Sequence, residues 1–339
     1  MQFGRGKPAN GAFFDRDFLT VDSLLAVALL HGLQQKSECR VAIVTVSRPN
    51  LDVVAYVDAV ERFYRGPAAN FAQVPPTGMN TAGEAGATSP GFTAPFKKTK
   101  ADGTPLYKSQ VKRVLDTGDP STLIRNYLQA QYEKGSCFIL AGRATNLAAA
   151  LNFRGVKELL AERSTHLVIA GEDSFYADLP AAKKVLADWP MPITFVPSEI
   201  GKAIPFPGSA VTKEFPANTP NHPVAEAYEA WQPMPYDAPA TAVAAALYAV
   251  RQKDPVFKVS EPGTLAIGAD GKIAFTPSAT GKHTQLSVDP AQKEKVQQVY
   301  VELATAKVVP PQRFRPPVAA DAAKPADPAD AVKVPPKQP

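Results

Sequence analysis

The feature that most constrains this chain is an alternation of strand-length and helix-length apolar segments. Residues 11–18, GAFFDRDF, hold the short apolar run of a buried strand. Residues 21–35, VDSLLAVALLHGLQQ, then carry Leu, Ala or Val at almost every position, with no glycine before Gly32. Their length and composition predict a helix. RVAIVTVS, residues 40–47, reads as a strand covered on both faces. NLDVVAYVDAVERFY, residues 50–64, reads as a helix, with Val53, Val57 and Val60 at helical spacing. Strand, helix, strand, helix implies an α/β fold, a mostly parallel central sheet flanked by helices. The rhythm resumes in an amphipathic helix at 120–135, with Leu123, Ile124, Tyr127 and Leu128 on one face. Strands at 136–142, 165–171 and 192–198 follow, and helices at 179–189, 222–231, 241–253 and 290–306. Turn signals in ADGK and ATGK predict a small antiparallel β region near 255–290.

Two stretches leave the pattern. Residues 66–105 are rich in Gly, Pro, Ala, Ser and Thr, and read as a long loop, either a lid over a site or a surface insertion. Residues 309–339 are dominated by Pro and Ala and read as a disordered tail. The expected organisation is therefore one domain over 1–308 with that tail attached. With 45% hydrophobic residues the chain has material for a large core. Its net charge of +5 is spread without a Lys/Arg block, which argues against a nucleic-acid partner. No apolar run reaches the ~18 residues of a membrane span. The opening residues lack the apolar core of a signal peptide, so the chain reads as soluble with its compartment open, cytoplasmic or exported behind a removed leader. Cys39 and Cys137 lack CxxC partners and read as buried thiols, with a disulfide left open. Assembly into a homo-oligomer is also open.

In parallel sheets ligands gather at the carboxyl ends of strands. Three polar clusters are expected there: Asp15, Asp17 and Asp22; residues 142–146, GRATN; and residues 171–178, GEDSFYAD. Asp15 and Asp17 are two apart, so an extended backbone points both to one face. Crowded carboxylates repel unless a positive charge joins them, and carboxylate and carbonyl oxygens suit a hard ion such as Ca²⁺. The alternative is that Asp22 and its neighbours serve a helix N-terminus. The four histidines read as structural or surface groups. Phe175 and Tyr176 are the candidates for stacking on a base.

In order and spacing, FFDRDF…VDSLLAVALL, ILAGRATNLAAAL and EDSFYADLPAAKKVLADW resemble motifs of the inosine–uridine-preferring nucleoside hydrolase family. The larger bacterial branch is the nearest likeness, through MPYD…LYAV and GKH. The resemblance runs from about 11 to about 308, outside 66–105. It implies Ca²⁺ at the carboxyl edge of the sheet and hydrolysis of the N-glycosidic bond of a ribonucleoside. By position, Asp17 would be catalytic base and metal ligand, Asp22 a second ligand and the Thr145 carbonyl a third. Glu172, Ser174, Tyr176 and Asp15 would serve the substrate side, Glu172 by contacting the ribose and Asp15 by supporting the network.

The same comparison exposes departures. Val21 stands where the family has an aspartate, and Ser174 where it has an asparagine. Ala242 replaces an aspartate ligand at the start of the helix PATAVAAALYAV, and Asp237 lies five residues upstream. Three readings follow: a Ca²⁺-assisted N-ribohydrolase with an altered sugar pocket, a catalytically impaired relative that binds a nucleoside or sugar-like ligand, and a scaffold for a partner.

Overall fold

The computed structural model describes residues 9–66, 77–82, 89–171, 173–268, 270 and 272–309. Its first half runs β1 (Gly11–Arg16), α1 (Asp22–Gln35), β2 (Arg40–Val46), α2 (Leu51–Arg65), β3 (Gly78–Met79), α3 (Pro120–Ala130), β4 (Ser136–Leu140), α4 (Thr145–Ala150), α5 (Val156–Arg163) and β5 (Ser164–Ala170). The second half runs α6 (Asp173–Tyr176), α7 (Leu179–Asp188), β6 (Ile193–Val196), α8 (Ser198–Ala203), α9 (Gly208–Asn218), α10 (Pro223–Trp231), α11 (Thr241–Val250), β7 (Lys258–Val259), β8 (Gly263–Ile267), β9 (Ile273–Pro277), β10 (Thr284–Ser287) and α12 (Lys293–Ala304).

One eight-stranded sheet has the order β3-β2-β1-β4-β5-β6-β10-β7. Every pair in it is parallel except β10 with β7. This is the α/β architecture read from the sequence, and its physical basis is visible in β1. Ala12 and Phe14 belong to one apolar core, and Phe13 belongs to the other on the opposite face. In β4, Cys137 and Ile139 face the first core while Phe138 and Leu140 face the second. Burial on both faces is why these strands are apolar throughout rather than alternating. The first core is filled by α1 and α11, which pack on each other, α11 lying also against β4 and β5. Both are apolar nearly all round, as a helix covered on every side must be. α12 closes over α1 at Gly32, where any Cβ would collide with the Leu303 carbonyl.

Local signals set the helix starts. Asn50 Oδ1 accepts from the Val53 N–H at 3.1 Å to begin α2, and Asp119 Oδ1 from Thr122 N–H at 2.8 Å to begin α3. The histidines are structural. His31 Nε2 lies 2.9 Å from Glu61 Oε1, and His222 Nδ1 accepts the Val224 N–H at 3.2 Å and so caps α10. Both cysteines are free and buried, which settles the disulfide question against a bridge.

The 255–290 region holds the expected small antiparallel β structure: β8 and β9 form a separate antiparallel hairpin and β7 pairs antiparallel with β10, while β10 also joins the main sheet, parallel to β6. The turns are local signals, whereas the parallel pairing comes from a distant strand. The described residues of the 66–105 stretch include some regular structure. Within it β3 pairs with β2 at the sheet edge, and Gly91–Lys97 forms a 3-10 helix. The tail expectation falls on 310–339, outside the described residues. Among the described residues no helix is long and apolar enough to cross a membrane.

Candidate functional site

The site is built where β1 ends. Its neighbours β2 and β4 end alongside it, and the three strand ends touch. Ser47 N–H donates to the Arg16 carbonyl at 2.8 Å. Gly142, just past β4, comes so close that a Cβ there would lie 2.5 Å from Asp17 N and 2.8 Å from Ser47 Oγ. Only a residue without a side chain fits, which explains the glycine that heads GRATN. Phe18 then turns the chain towards α1 with φ of 51°, a left-handed conformation unusual for a bulky residue. Its ring is fully buried and packs edge-on against Phe14 at 6.1 Å, so the strained backbone is held by the core.

Asp15 is wholly buried. Its Oδ2 accepts from Thr45 Oγ1 at 2.8 Å and from Asn146 Nδ2 at 2.7 Å. Asn146 is held in turn by Asn80, whose Nδ2 donates to Asn146 Oδ1 at 2.8 Å. Burial pushes the Asp15 carboxyl up to about 7, against the opposing pull of the Asn146 and Thr45 hydrogen bonds, and the Asp17 charge adds to the rise. Asp17 is 2% exposed, and neither of its carboxylate oxygens has a hydrogen-bond partner. Asp15 Oδ1 is likewise buried and unpartnered.

Asp22 heads α1, and its carboxylate is fully engaged. Arg16 Nη2 donates to its Oδ1 at 3.0 Å, Thr20 Oγ1 to the same oxygen at 2.8 Å, and the Ala242 N–H to Oδ2 at 3.1 Å. Arg16 also lies by Asp17, Nε to Oδ1 at 3.3 Å. The guanidinium is therefore shared by the two carboxylates expected to share an ion. The Ala242 contact shows that the start of α11 does reach the site, as the sequence comparison implied, but with a backbone N–H, a donor, where a metal needs an acceptor. Asp237 does not substitute, because its Oδ1 accepts the Gly208 N–H at 2.8 Å.

These residues do not fit a calcium ion. A guanidinium stands between Asp17 and Asp22, and both oxygens of Asp22 already accept hydrogen bonds. Among the described residues no group of three His, Cys, Asp or Glu side chains is arranged to hold a metal. The residue that separates Asp17 from Asp22 is Arg16, between the two aspartates of DRD.

The other expected residues are divided. Thr145 heads α4, and its hydroxyl donates to Asp178 Oδ2 at 2.5 Å, joining the second cluster to the third. The residue of that turn that reaches the aspartates is its neighbour Asn146. Tyr176 is half-buried, and its hydroxyl accepts the Ile273 N–H of the β8–β9 hairpin at 2.5 Å. Phe175 is fully buried in the second core, which corrects its assignment as a base-stacking ring. Glu172 and the side chain of Ser174 lie outside what is described. Sequence reasoning missed Arg16, Thr45, Asn80 and Asn146. Asn146 was within reach as the last letter of GRATN, whereas Asn80 follows a two-residue strand that no periodicity could reveal.

No protein-family model matches this chain, and no curated protein matches its sequence. Its structure is similar to solved nucleoside hydrolases. A plant nucleoside hydrolase, PpNRh1, superposes with a TM-score of 0.64 at 15% identity, over 88% of this chain and 100% of the other. A purine-preferring ribonucleoside hydrolase from Gardnerella vaginalis gives 0.62 at 15% identity, over 87% and 99%. The type III effector protein XopQ, solved in complex with adenosine diphosphate ribose, gives 0.59 at 14% identity, over 90% and 94%. The fold is that of the nucleoside hydrolases.

Proposed function

We propose that the chain is a nucleoside hydrolase-like protein that binds a nucleoside or another ribose-bearing small molecule at the carboxyl edge of its sheet, and that calcium-assisted cleavage is not its chemistry. The observation that carries this reading is Asp17: a carboxylate almost wholly buried at the end of the central strand, neither oxygen in a hydrogen bond and only Oδ1 ion-paired, with Arg16. Buried acceptors left unpaired cost free energy, and sugar hydroxyls are donors that satisfy them. Asp15, two residues before Asp17, is held in place by the Thr45 and Asn146 bonds. Glu172 and Ser174, just past β5, remain the candidates for further ribose contacts. XopQ, a protein of this fold, carries a ribose-bearing ligand in its solved complex, which supports the ligand class.

The departures from the family pattern support binding over turnover. A metal that activates water needs an open coordination position, and Arg16 fills the space between the carboxylates. The test is a thermal-shift titration with inosine, uridine and adenosine diphosphate ribose, run beside an assay for released ribose. Saturable stabilisation by at least one ribosyl compound without release of ribose is expected, and Asp17→Asn weakens that binding at least tenfold. Absence of any stabilisation, or calcium-accelerated release of ribose from inosine or uridine, contradicts the reading.

A further inference from the structure

We propose that Arg16 is the resident cation of this site: it takes the place of a divalent metal and donates directly to the hydroxyls of the ribosyl ligand. The inference rests on the ligand-binding reading above and names how the sugar is held.

The guanidinium has five N–H donors. Nη2 is committed, to Asp22 Oδ1 at 3.0 Å and Thr20 Oγ1 at 3.1 Å. Nε is buried and lacks a hydrogen-bond partner, although it lies 3.3 Å from Asp17 Oδ1. Nη1 donates to no described group. The bonds of Nη2 therefore fix the plane of the head group against α1, while Nε faces Asp17 and Nη1 has no partner among the described residues. Beside them lie the two oxygens of Asp17, neither of which accepts a hydrogen bond.

A sugar hydroxyl both donates and accepts. It is satisfied where an acceptor and a donor stand next to each other, and Asp17 and Arg16 supply that pair. A hydroxyl that gives its proton to Asp17 while its oxygen accepts from Arg16 has both needs met. Vicinal hydroxyls can use the two Asp17 oxygens together. A metal would attract the same hydroxyl oxygens by charge alone, so a guanidinium with free donors performs the binding half of that task without the water-activating half. The chemistry also selects a neutral polyol end over an anionic one, since Asp15, Asp17 and Asp22 outnumber the single arginine among them.

The experiment is calorimetric titration of the full chain with inosine and with D-ribose, in EDTA and again in CaCl₂, for wild type, Arg16→Met and Arg16→Lys. Wild type is expected to bind the probe equally well in EDTA and in calcium, and to give no heat with CaCl₂ alone. Arg16→Met, which keeps length and loses charge and donors, is expected to lose at least tenfold in probe affinity in EDTA and to gain calcium binding. Arg16→Lys covers the case in which Arg16→Met does not fold. One ammonium carries three donors at a single point and lacks the guanidinium's fork, so keeping Asp22 and Thr20 leaves at most one donor for the sugar, and at least a tenfold loss is expected there too. Probe binding by wild type that disappears in EDTA, or unchanged affinity in a folded Arg16 variant, overturns the inference. If neither probe binds wild type, the ligand-binding reading fails instead. The calcium arm then decides the resident-cation claim separately, because heat from CaCl₂ with wild type overturns it.

Discussion

At the scale of single residues, the site turns on which charge faces which. Arg16 neutralises carboxylates that would otherwise repel inside the protein. Removing one partner of such a buried cluster costs roughly 3–5 kcal/mol. Arg16→Ala should therefore lower stability by about that much in urea unfolding, and adding Asp22→Asn should recover part of the loss. A purely additive double variant would show that the two residues are not coupled. Asp15 makes a pH-dependent prediction. Its folded carboxyl holds a proton up to about 7, above the ordinary 3.8 of an exposed aspartate. Between those values the folded state binds more protons than the unfolded state, so this residue's contribution to stability falls as pH rises from about 4 to about 7, and then levels. Compared with Asp15→Asn, wild type should lose stability across that window, by at most about 4 kcal/mol at 1.36 kcal/mol per unit. A difference that is flat in pH, or that rises, would contradict the burial account. Arg16 illustrates what the sequence hides: a basic residue between two acids looks like an exposed residue balancing local charge, and only the fold shows it turned towards Asp22.

At the scale of elements, placement depends on close approaches that side chains forbid. Gly142→Ala would drive a methyl into Asp17 N and Ser47 Oγ, 2.5 and 2.8 Å away as the backbone stands. Overpacking of this kind costs about 1–3 kcal/mol. Because the clash is at Asp17, ligand binding should suffer with it, while Gly32→Ala, at the α1–α12 contact, should cost stability through the helix packing alone. Thermal melts paired with ligand titrations separate the two, and equal effects of both on binding would argue against the strand-end geometry. The elements that were legible beforehand are those whose local pattern and tertiary setting agree. β1, α1, β2 and α2 are long and apolar in the right period, and the packing uses them as such. β3 was not legible, because two residues carry no period. β10 makes the antiparallel pair its flanking turns favour, with β7, but its parallel pairing with β6, 90 residues away at Thr194 and Thr284, has no local signal.

At the scale of the whole molecule, a sheet covered on both faces leaves its carboxyl edge as the place where polar groups from distant segments meet. Asp17, Asp22, Gly142, Asn146 and Ala242 come to that edge from strand ends and helix starts across the chain. That the first two clusters meet was legible from their order, as was the absence of a carboxylate at Ala242. The sign of the charge at the centre was not, because it depends on how Phe18 turns the backbone and where Arg16 then points. The proposal that Arg16 is the resident cation predicts independence from calcium. A cation bound at a hundred times its Kd would add about 2.7 kcal/mol to stability, enough to raise Tm by several degrees in a chain of this size. The most direct test is therefore the melting temperature of the full wild-type chain in 1 mM EDTA against a calcium series up to about 10 mM at constant ionic strength. The two curves should coincide within about 1 °C; a saturable rise of several degrees with calcium would mean that a metal, and not Arg16, holds the aspartates together.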